Sequence, residues 1–431
     1  MDFWQNLVQN FKRNKNMSNT MLIMMTFAFL LLAVVLIIYG VSMDSPAKLV
    51  EGEANGNVPV QTPMNNDGDE HSDGGKSVEP QDGGEYAPAD PVGDYVREVI
   101  SGMSVEEKVG QLLLVRSNGV TNAEFAALAS RVHAGGVVLF ADDVDNKDAA
   151  QLTKDISVLQ ESCGGKLLVC VDEEGGTVVR VSRNPLLRES KFRSPQAVYA
   201  DGGMEAVRSD AQEKCRFLSG FGFNVNFAPV ADVVTDSNGF LYQRAFGKDA
   251  NQTANYVNNV VDVMTENNMG CTIKHFPGYS NAVGDTHNGL VVVGTSREDI
   301  INTELTPFRA GIAAGADSVM VTHSIMTELD PDRPSSLSPT VISILRDELE
   351  FDGVIISDGM DMGAILQYGG GKDVCVAAFL AGNDLLCTPA DPDAAYNALL
   401  AAVDDGTISA ERLNESVGRI IRWKINLGLY D

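Results

Sequence analysis

The sequence has no G-x-S-x-G turn, no G-x-x-x-x-G-K-[ST] loop, no G-x-G-x-x-G after an apolar run and no C-x-x-C pair. These absences argue against four chemistries: the strained serine elbow of hydrolases, the phosphate cradle, the dinucleotide turn and the dithiol redox centre. No H-E-x-x-H or comparable ligand spacing occurs either, so the expectation is no metal and no cofactor. Basic residues are scarce, with 32 Lys and Arg against 59 Asp and Glu and a formal charge of −27. Nucleic acid and anionic lipid are recognised through basic patches, so this charge argues against both as partners. Of the six cysteines, Cys170, Cys271 and Cys387 fall inside apolar runs, where a free thiol packs as a small hydrophobe; mostly free thiols are expected.

One long apolar run is present. Residues Met21 to Tyr39 carry no charge, and at about 1.5 Å rise per residue a helix of this length crosses a hydrocarbon core of roughly 30 Å. Lys12, Arg13 and Lys15 precede it and only Lys48 follows closely. That bias places residues 1–20 in the cytoplasm, residues 21–41 across the membrane as a single anchor, and the rest outside the cell. A cleaved signal peptide is the alternative, but the run exceeds the usual apolar region and no clear A-x-A site follows. From Asp44 to Asp94 twelve acidic residues stand against Lys48 and Lys76, among Gly, Pro and Asn. Residues 42–91 therefore read as a disordered, self-repelling linker, and residues 92–431 as the folded domain.

Beyond the linker, Ser104 followed by Glu107 matches a capping box, so a helix is expected to start there. Eight short apolar runs then alternate with helical patterns: 112–115, 136–140, 167–172, 224–229, 271–275, 318–323, 354–358 and 384–387. Continuous rather than alternating apolar strands imply a parallel sheet covered on both faces, and eight such units fit a (β/α)8 TIM-type barrel. A doubly wound open sheet is the competitor. Asp172, Lys274 with His275, His323 and Asp358 stand at strand C-termini, with Asp232 just beyond one; a barrel would converge them on one mouth. The last segment, Ser409 to Leu427, puts Leu413, Val417, Ile420, Ile421 and Ile425 on one helical face, with Gly428 as its stop.

Asp358 follows an apolar strand and precedes Gly359, which lets another group approach closely. A carboxylate there can form an ester with a sugar anomeric carbon, or merely cap the next helix. Asp361 reads as a decoy one turn into that helix. Asp285 and His287 stand two apart in a glycine-containing loop, so the carboxylate can orient the ring for proton transfer; a solvated loop histidine is the plain alternative. Asp172 can accept from a ligand hydroxyl pair and Arg180 can act as a fork-shaped donor, or the two can pair internally. Arg244 is a further donor candidate.

Taken in order, Met103 to Leu112, Gly135 to Phe140, Asp172 to Arg180, Asn226 to Val233, Lys274-His275-Phe276-Pro277-Gly278, Asp285-Thr286-His287 and Ser357-Asp358 resemble glycoside hydrolase family 3, in its single-barrel β-N-acetylglucosaminidase branch. The resemblance covers about Tyr95 to Tyr430. It implies that Asp358 is the nucleophile, His287 the general acid/base with Asp285 completing the dyad, and that Asp172, Arg180, Arg244, Lys274 and His275 bind the terminal sugar. The implied activity is a retaining exo-β-N-acetylhexosaminidase, acting as a monomer on N-acetylglucosamine-containing glycans from cell wall or chitin. Alternatives are a family 3 glycosidase for another sugar, an N-acetylglucosaminide phosphorylase, or a glycan-binding envelope module without turnover. The chain departs from the family pattern at Tyr279-Ser280-Asn281, where many relatives carry a second His-Gly.

Overall fold

The computed structural model describes residues 90–280, 282, 284–369 and 372–430. The expected cytoplasmic tail, the membrane anchor and all but the last residues of the linker lie outside these. No helix among the described residues is long and apolar enough to cross a membrane.

Among the described residues, ten strands form in chain order: β1 (Leu113–Val115), β2 (Gly136–Leu139), β3 (Leu168–Val171), β4 (Val225–Asn226), β5 (Gly270–Phe276), β6 (Val292–Val293), β7 (Ser318–Val321), β8 (Ile325–Met326), β9 (Val354–Ser357) and β10 (Leu386–Cys387). Eight make one parallel sheet in the order β10-β1-β2-β3-β4-β5-β7-β9. Its two edges meet through a parallel bridge between Ile356 and Leu385, so the sheet curls into a nearly closed parallel α/β barrel, consistent with the (β/α)8 expectation. Every residue of β1, β2, β3, β7 and β9 is buried, as strands covered on both faces require. The remaining pair, β6 and β8, is a small parallel ribbon joining the loop after β5 to the loop after β7.

Local chemistry sets the helix starts. The Ser104 hydroxyl accepts from the Glu107 amide at 3.2 Å while the Glu107 carboxylate accepts from the Ser104 amide at 2.8 Å, the reciprocal box read from the sequence. The helix Pro91–Ser101 overlaps the end of the stretch read as linker, and Asp90 caps it. Average polarity there hides an apolar stripe: Val96 is buried, and both it and Ile100 pack toward Gly418 in the final helix, Ala410–Asn426.

That final helix belongs to the N-terminal face of the barrel. Leu413, Val417, Ile420 and Ile421 are buried as expected, and Gly428 takes φ +72° past the C-terminus. Two of its polar residues, Ser416 and Lys424, are buried too. Asp384, two residues before β10, is fully buried and receives Arg346 at 2.5 Å, Arg419 at 3.2 Å and Ser416 at 2.5 Å. Lys424 is 1 % exposed and donates to Gln111 at 2.6 Å. All six cysteines are unpaired.

Two stability predictions follow from this face. Asp384→Ala leaves the guanidinium groups of Arg346, Arg412 and Arg419 facing a buried hole and is expected to lower the unfolding free energy by about 3 kcal/mol or more, read by chemical denaturation; a loss below about 1 kcal/mol would show that solvent already screens the cluster. Burial pulls the Lys424 amine down to about 7. Between that value and the ordinary lysine range the unfolded chain binds the extra proton, so stability rises with pH there. Lys424→Met should therefore stabilise the protein, by an amount of order 1 kcal/mol at pH 6, with the gain shrinking steadily toward pH 10. A gain independent of pH would show that the amine is not titrating in the fold.

Candidate active site

A cavity of about 310 Å³ opens where the strands end, lined by Asp172, Arg180, Arg244, Lys274, His275, His287 and Asp358 among others. Seven of the eight residues singled out for chemistry thus share one mouth. The eighth, Asp285, stands behind His287.

The floor is built from β3 and β5. Their registers are fixed by the ladder, and β5 carries an irregularity between Lys274 and Phe276. A regular strand would send Lys274 and His275 to opposite faces, but this break lets both reach the cavity. The Lys274 ammonium sits 2.5 Å from Asp172 and 2.7 Å from Glu174, and Arg244 grips Glu174 through two bonds of 2.9 and 2.7 Å. Burial alone would raise the Glu174 carboxyl; the charges of Arg244 and Lys274 outweigh it and hold the group well below the usual carboxylate range. The same pairing raises Arg244 and Lys274 against the opposing effect of burial. All three are therefore charged at neutral pH.

Beside them Asp232 is fully buried and accepts from the His275 amide at 3.0 Å, from His275 Nδ1 at 2.8 Å and from the Tyr279 amide at 2.8 Å. His275 Nε2 then accepts from Arg244 at 3.2 Å. The tautomer is thereby fixed. Arg180 is set by its backbone: the buried Glu173 carboxylate gathers the amides of Arg180 and Val181 at 2.8 Å each, folding the Asp172–Ser182 segment back over the mouth. Arg180 and Asp172 approach only to 3.9 Å, so the internal pair is loose and both line the cavity.

Asp358 follows β9, and its own Oδ1 accepts from the Gly359 amide at 2.8 Å rather than from a helix N-terminus. Burial opposes its charge; the imidazoles of His323 and His275, the Gly359 amide and His287 more than compensate, and the carboxyl lies below its ordinary value. It is an ionised carboxylate at neutral pH. His323, expected at the mouth, is instead wholly buried behind it, donating to the Gly359 carbonyl at 2.9 Å and bonded to Ser336 at 2.7 Å. Burial lowers its pKa, so it serves as a neutral strut for the Asp358 turn.

His287 is 61 % exposed on the side chain, and its Nδ1 meets Asp285 Oδ1 at 2.7 Å. The same carboxylate takes the His287 amide at 2.9 Å and Asn288 at 2.9 Å. The pairing occupies Nδ1 and leaves Nε2 as the nitrogen that can serve a ligand. The loop is docked by backbone: the carbonyls of Thr286 and His287 accept from the amides of Ala364 and Gly363 at 3.0 and 3.1 Å, at the start of the helix Gly363–Gly369. A Cβ on Gly363 would stand 2.6 Å from the His287 carbonyl oxygen, so the approach needs glycine. The loop imidazole is thus tethered to the segment that follows Asp358.

Several residues escaped the sequence reading. Asp361 precedes the helix Gly363–Gly369 rather than lying one turn inside it, and it faces the cavity, held by Arg116 at 2.9 Å and Thr388 at 3.0 Å. The intervening turn was too short to see as separate from the helix. Arg116 directly follows β1 and stacks on Phe140, its guanidinium carbon 4.1 Å from the ring centre; the strand-end rule applied to Asp172 would have found it. Glu174 had the same signal, but only the fold pairs it with Arg244, seventy residues away.

The profile described as "Glycosyl hydrolase family 3 N terminal domain" matches residues 104–423. A protein named beta-hexosaminidase from Stenotrophomonas maltophilia (strain R551-3) is 33% identical over 270 residues, 61% of this chain and 79% of that protein. A second of that name, from Xanthomonas campestris pv. campestris (strain B100), is 32% identical over 259 residues, 59% of this chain and 77% of its own length. Among solved structures, a glycoside hydrolase family 3 beta-N-acetylglucosaminidase from Paenibacillus sp. str. FPU-7 superposes with a TM-score of 0.71 at 32% identity, over 76% of this chain but only 63% of that one. A beta-N-acetylhexosaminidase from Beutenbergia cavernae DSM 12333 gives 0.67 at 30% identity, over 75% of this chain and 98% of that one. With the match spanning most of the chain and a charged, carboxylate-bearing cavity at the barrel mouth, this protein belongs to glycosyl hydrolase family 3 and is a glycoside hydrolase.

Proposed function

We propose that the protein is a retaining exo-β-N-acetylhexosaminidase that removes terminal N-acetylglucosamine from cell-wall-derived or chitin-type oligosaccharides. The observation that supports this most directly is that Asp358 and the Asp285–His287 dyad line or border one cavity whose floor is the Asp172–Lys274–Glu174–Arg244 quartet. Asp172, Arg180, Arg244, Lys274 and His275 hold the sugar's hydroxyls against that closed floor, which leaves room for a chain end and not for a running polymer. In the first step an Asp358 oxygen bonds to the anomeric carbon as the bond to the leaving oxygen breaks, and His287 gives that oxygen its proton. In the second, water attacks the same carbon and passes a proton to His287, the ester bond breaks, and Asp358 regains its charge. Two inversions retain configuration. A histidine in the acid/base role becomes neutral on giving up its proton, which avoids placing a second negative charge beside Asp358.

The location belongs to the same proposal. The uncharged run of residues 21–41, the basic residues before it and the acidic linker after it support a single-pass anchor that holds a monomeric catalytic domain outside the cell membrane.

The test is turnover of an aryl N-acetyl-β-glucosaminide by the purified protein, with the product anomer followed by NMR and phosphate present or absent. The β anomer of free N-acetylglucosamine is expected first, whether or not phosphate is added; a sugar phosphate would make the enzyme a phosphorylase. Asp358→Asn should lower kcat by on the order of a thousandfold or more. His287→Ala should lower it by about a hundredfold on a poor leaving group, and far less on a dinitrophenolate. Equal rates for Asp358→Asn and wild type would sink the mechanism.

A further inference from the structure

Behind the dyad loop lies a carboxyl group that the mechanism does not use. Glu304 is 5 % exposed and ends a π-helical turn, Ile300–Glu304, immediately before the helix Leu305–Ala313. Turns of this kind are uncommon and concentrate at functional sites. One oxygen, Oε1, accepts from the Ser280 hydroxyl at 2.7 Å, and Ser280 Oγ in turn accepts from Thr295 at 3.0 Å. The other, Oε2, is buried without a well-formed hydrogen bond. It lies so close to the chain that a Cβ on Gly278, which holds φ +118°, would stand 2.6 Å from it.

Ser280 and Thr295 lie on opposite arms of the loop that presents Asp285 and His287. Glu304 therefore stands where side-chain hydrogen bonds tie the outgoing arm to the returning one. Next to Ser280, the Tyr279 hydroxyl bonds to the Thr286 hydroxyl, one residue before His287. The electrostatic surroundings of Glu304 are acidic: Asp232, from the segment after β4, and Asp299, from its own helical segment, both oppose a charge on Glu304, while Ser280 and the Val233 amide favour one. Burial is the largest influence, and together these push the carboxyl up to about 7.

We propose that Glu304 is a positioning residue for the Asp285–His287 dyad: its carboxyl pins the two loop arms through Ser280 and Thr295, and loss of its proton releases them. In the neutral form the acid proton can be shared with Ser280, and the remaining oxygen is a lone carbonyl acceptor, a mild thing to bury. In the charged form the same pocket holds a carboxylate supported by the neutral Ser280 hydroxyl and Val233 amide but opposed by burial and by Asp232 and Asp299, and hydration relieves it further. Hydration requires the arms at Gly278–Ser280 and Thr295 to move off. The sign follows from linkage: the folded state holds this proton above the ordinary glutamate range, so the latched arrangement is favoured below neutral pH and weakened as pH rises through it.

The catalytic part of this inference rests on the proposed glycosidase mechanism, and the test separates the two. Hydrogen exchange of the full chain is followed by mass spectrometry in peptides covering residues 284–296, at pH 6 and pH 8, after correction for intrinsic exchange. Wild type should lose about tenfold in protection between the two. Glu304→Gln, which keeps the shape and an acceptor but no longer titrates, should stay protected at both. Ser280→Gly, which suits φ +49° at that position and removes the hydroxyl together with its β-carbon, should be unprotected at both. Protection that is equal in wild type and Glu304→Gln at pH 8, or unchanged in Ser280→Gly, overturns the latch; should Glu304→Gln fail to fold, the Ser280→Gly arm decides alone.

Turnover supplies the second readout. Ser280→Gly should lower kcat about tenfold on an alkyl glycoside, which needs the His287 proton, and leave a dinitrophenyl glycoside nearly unchanged. Equal losses on both substrates would mean general damage and overturn the positioning role. If the wild-type chain hydrolysed no glycoside at all, the proposed function would fall while the exchange result still decided whether Glu304 latches the loop.

Discussion

Lys274 holds its ammonium between two carboxylates, 2.5 Å from Asp172 and 2.7 Å from Glu174, with Arg244 closing the other side of Glu174. This quartet is the constraint on which the cavity depends. Lys274 and Glu174 are each 2 % exposed on the side chain, so neither charge could remain there without the others. Two positive and two negative groups cancel, which makes the burial tolerable. The geometry also fixes β3 against β5 and the segment around Arg244 against both. A floor assembled this way cannot flex to follow a substrate; it presents a rigid set of donors and acceptors, which is the form of preorganisation that sugar hydroxyls reward.

The wall facing that floor is organised differently. Asp358 is fixed by strand β9, by its own Gly359 amide and by the neutral strut of His323. Asp285 and His287 sit on a loop, held by two backbone hydrogen bonds to Gly363 and Ala364 and by the small β6–β8 ribbon. Rigid strands carry the charged floor of the cavity, and a docked loop carries the Asp285–His287 pair. In the mechanism proposed above, His287 serves two steps with different partners, a leaving oxygen and then a water, and a loop position allows the freedom this needs.

The two ends of the barrel divide the work of the chain. At the N-terminal end, Asp384 with Arg346, Arg412 and Arg419 ties the final helix to β10, and Val96 and Ile100 bring the first helix against it. None of these residues borders the cavity. At the C-terminal end, buried charge is spent on the site. The separation is the usual one for barrels, with stability below and chemistry above, and it explains why charged residues are buried at both ends for different purposes.

The sequence by itself determined the eight-strand alternation, the capping box at Ser104, the face of the final helix and the strand-end positions of Asp172, Lys274, His275 and Asp358. Each of these follows from local periodicity or from one residue's place relative to an apolar run, and such signals survive without knowledge of the fold. Tertiary structure alone decided the rest. Glu174 became the centre of the floor because Arg244 and Lys274 arrive from distant segments; His323 turned from a mouth residue into a buried strut because the chain after β7 folds inward; Asp361 joined the cavity wall because a turn intervenes before the helix. Whether a charged side chain is a ligand, a strut or a counter-ion depends on which partners the closed sheet brings within hydrogen-bond reach, and that is a property of contacts between segments far apart in the chain.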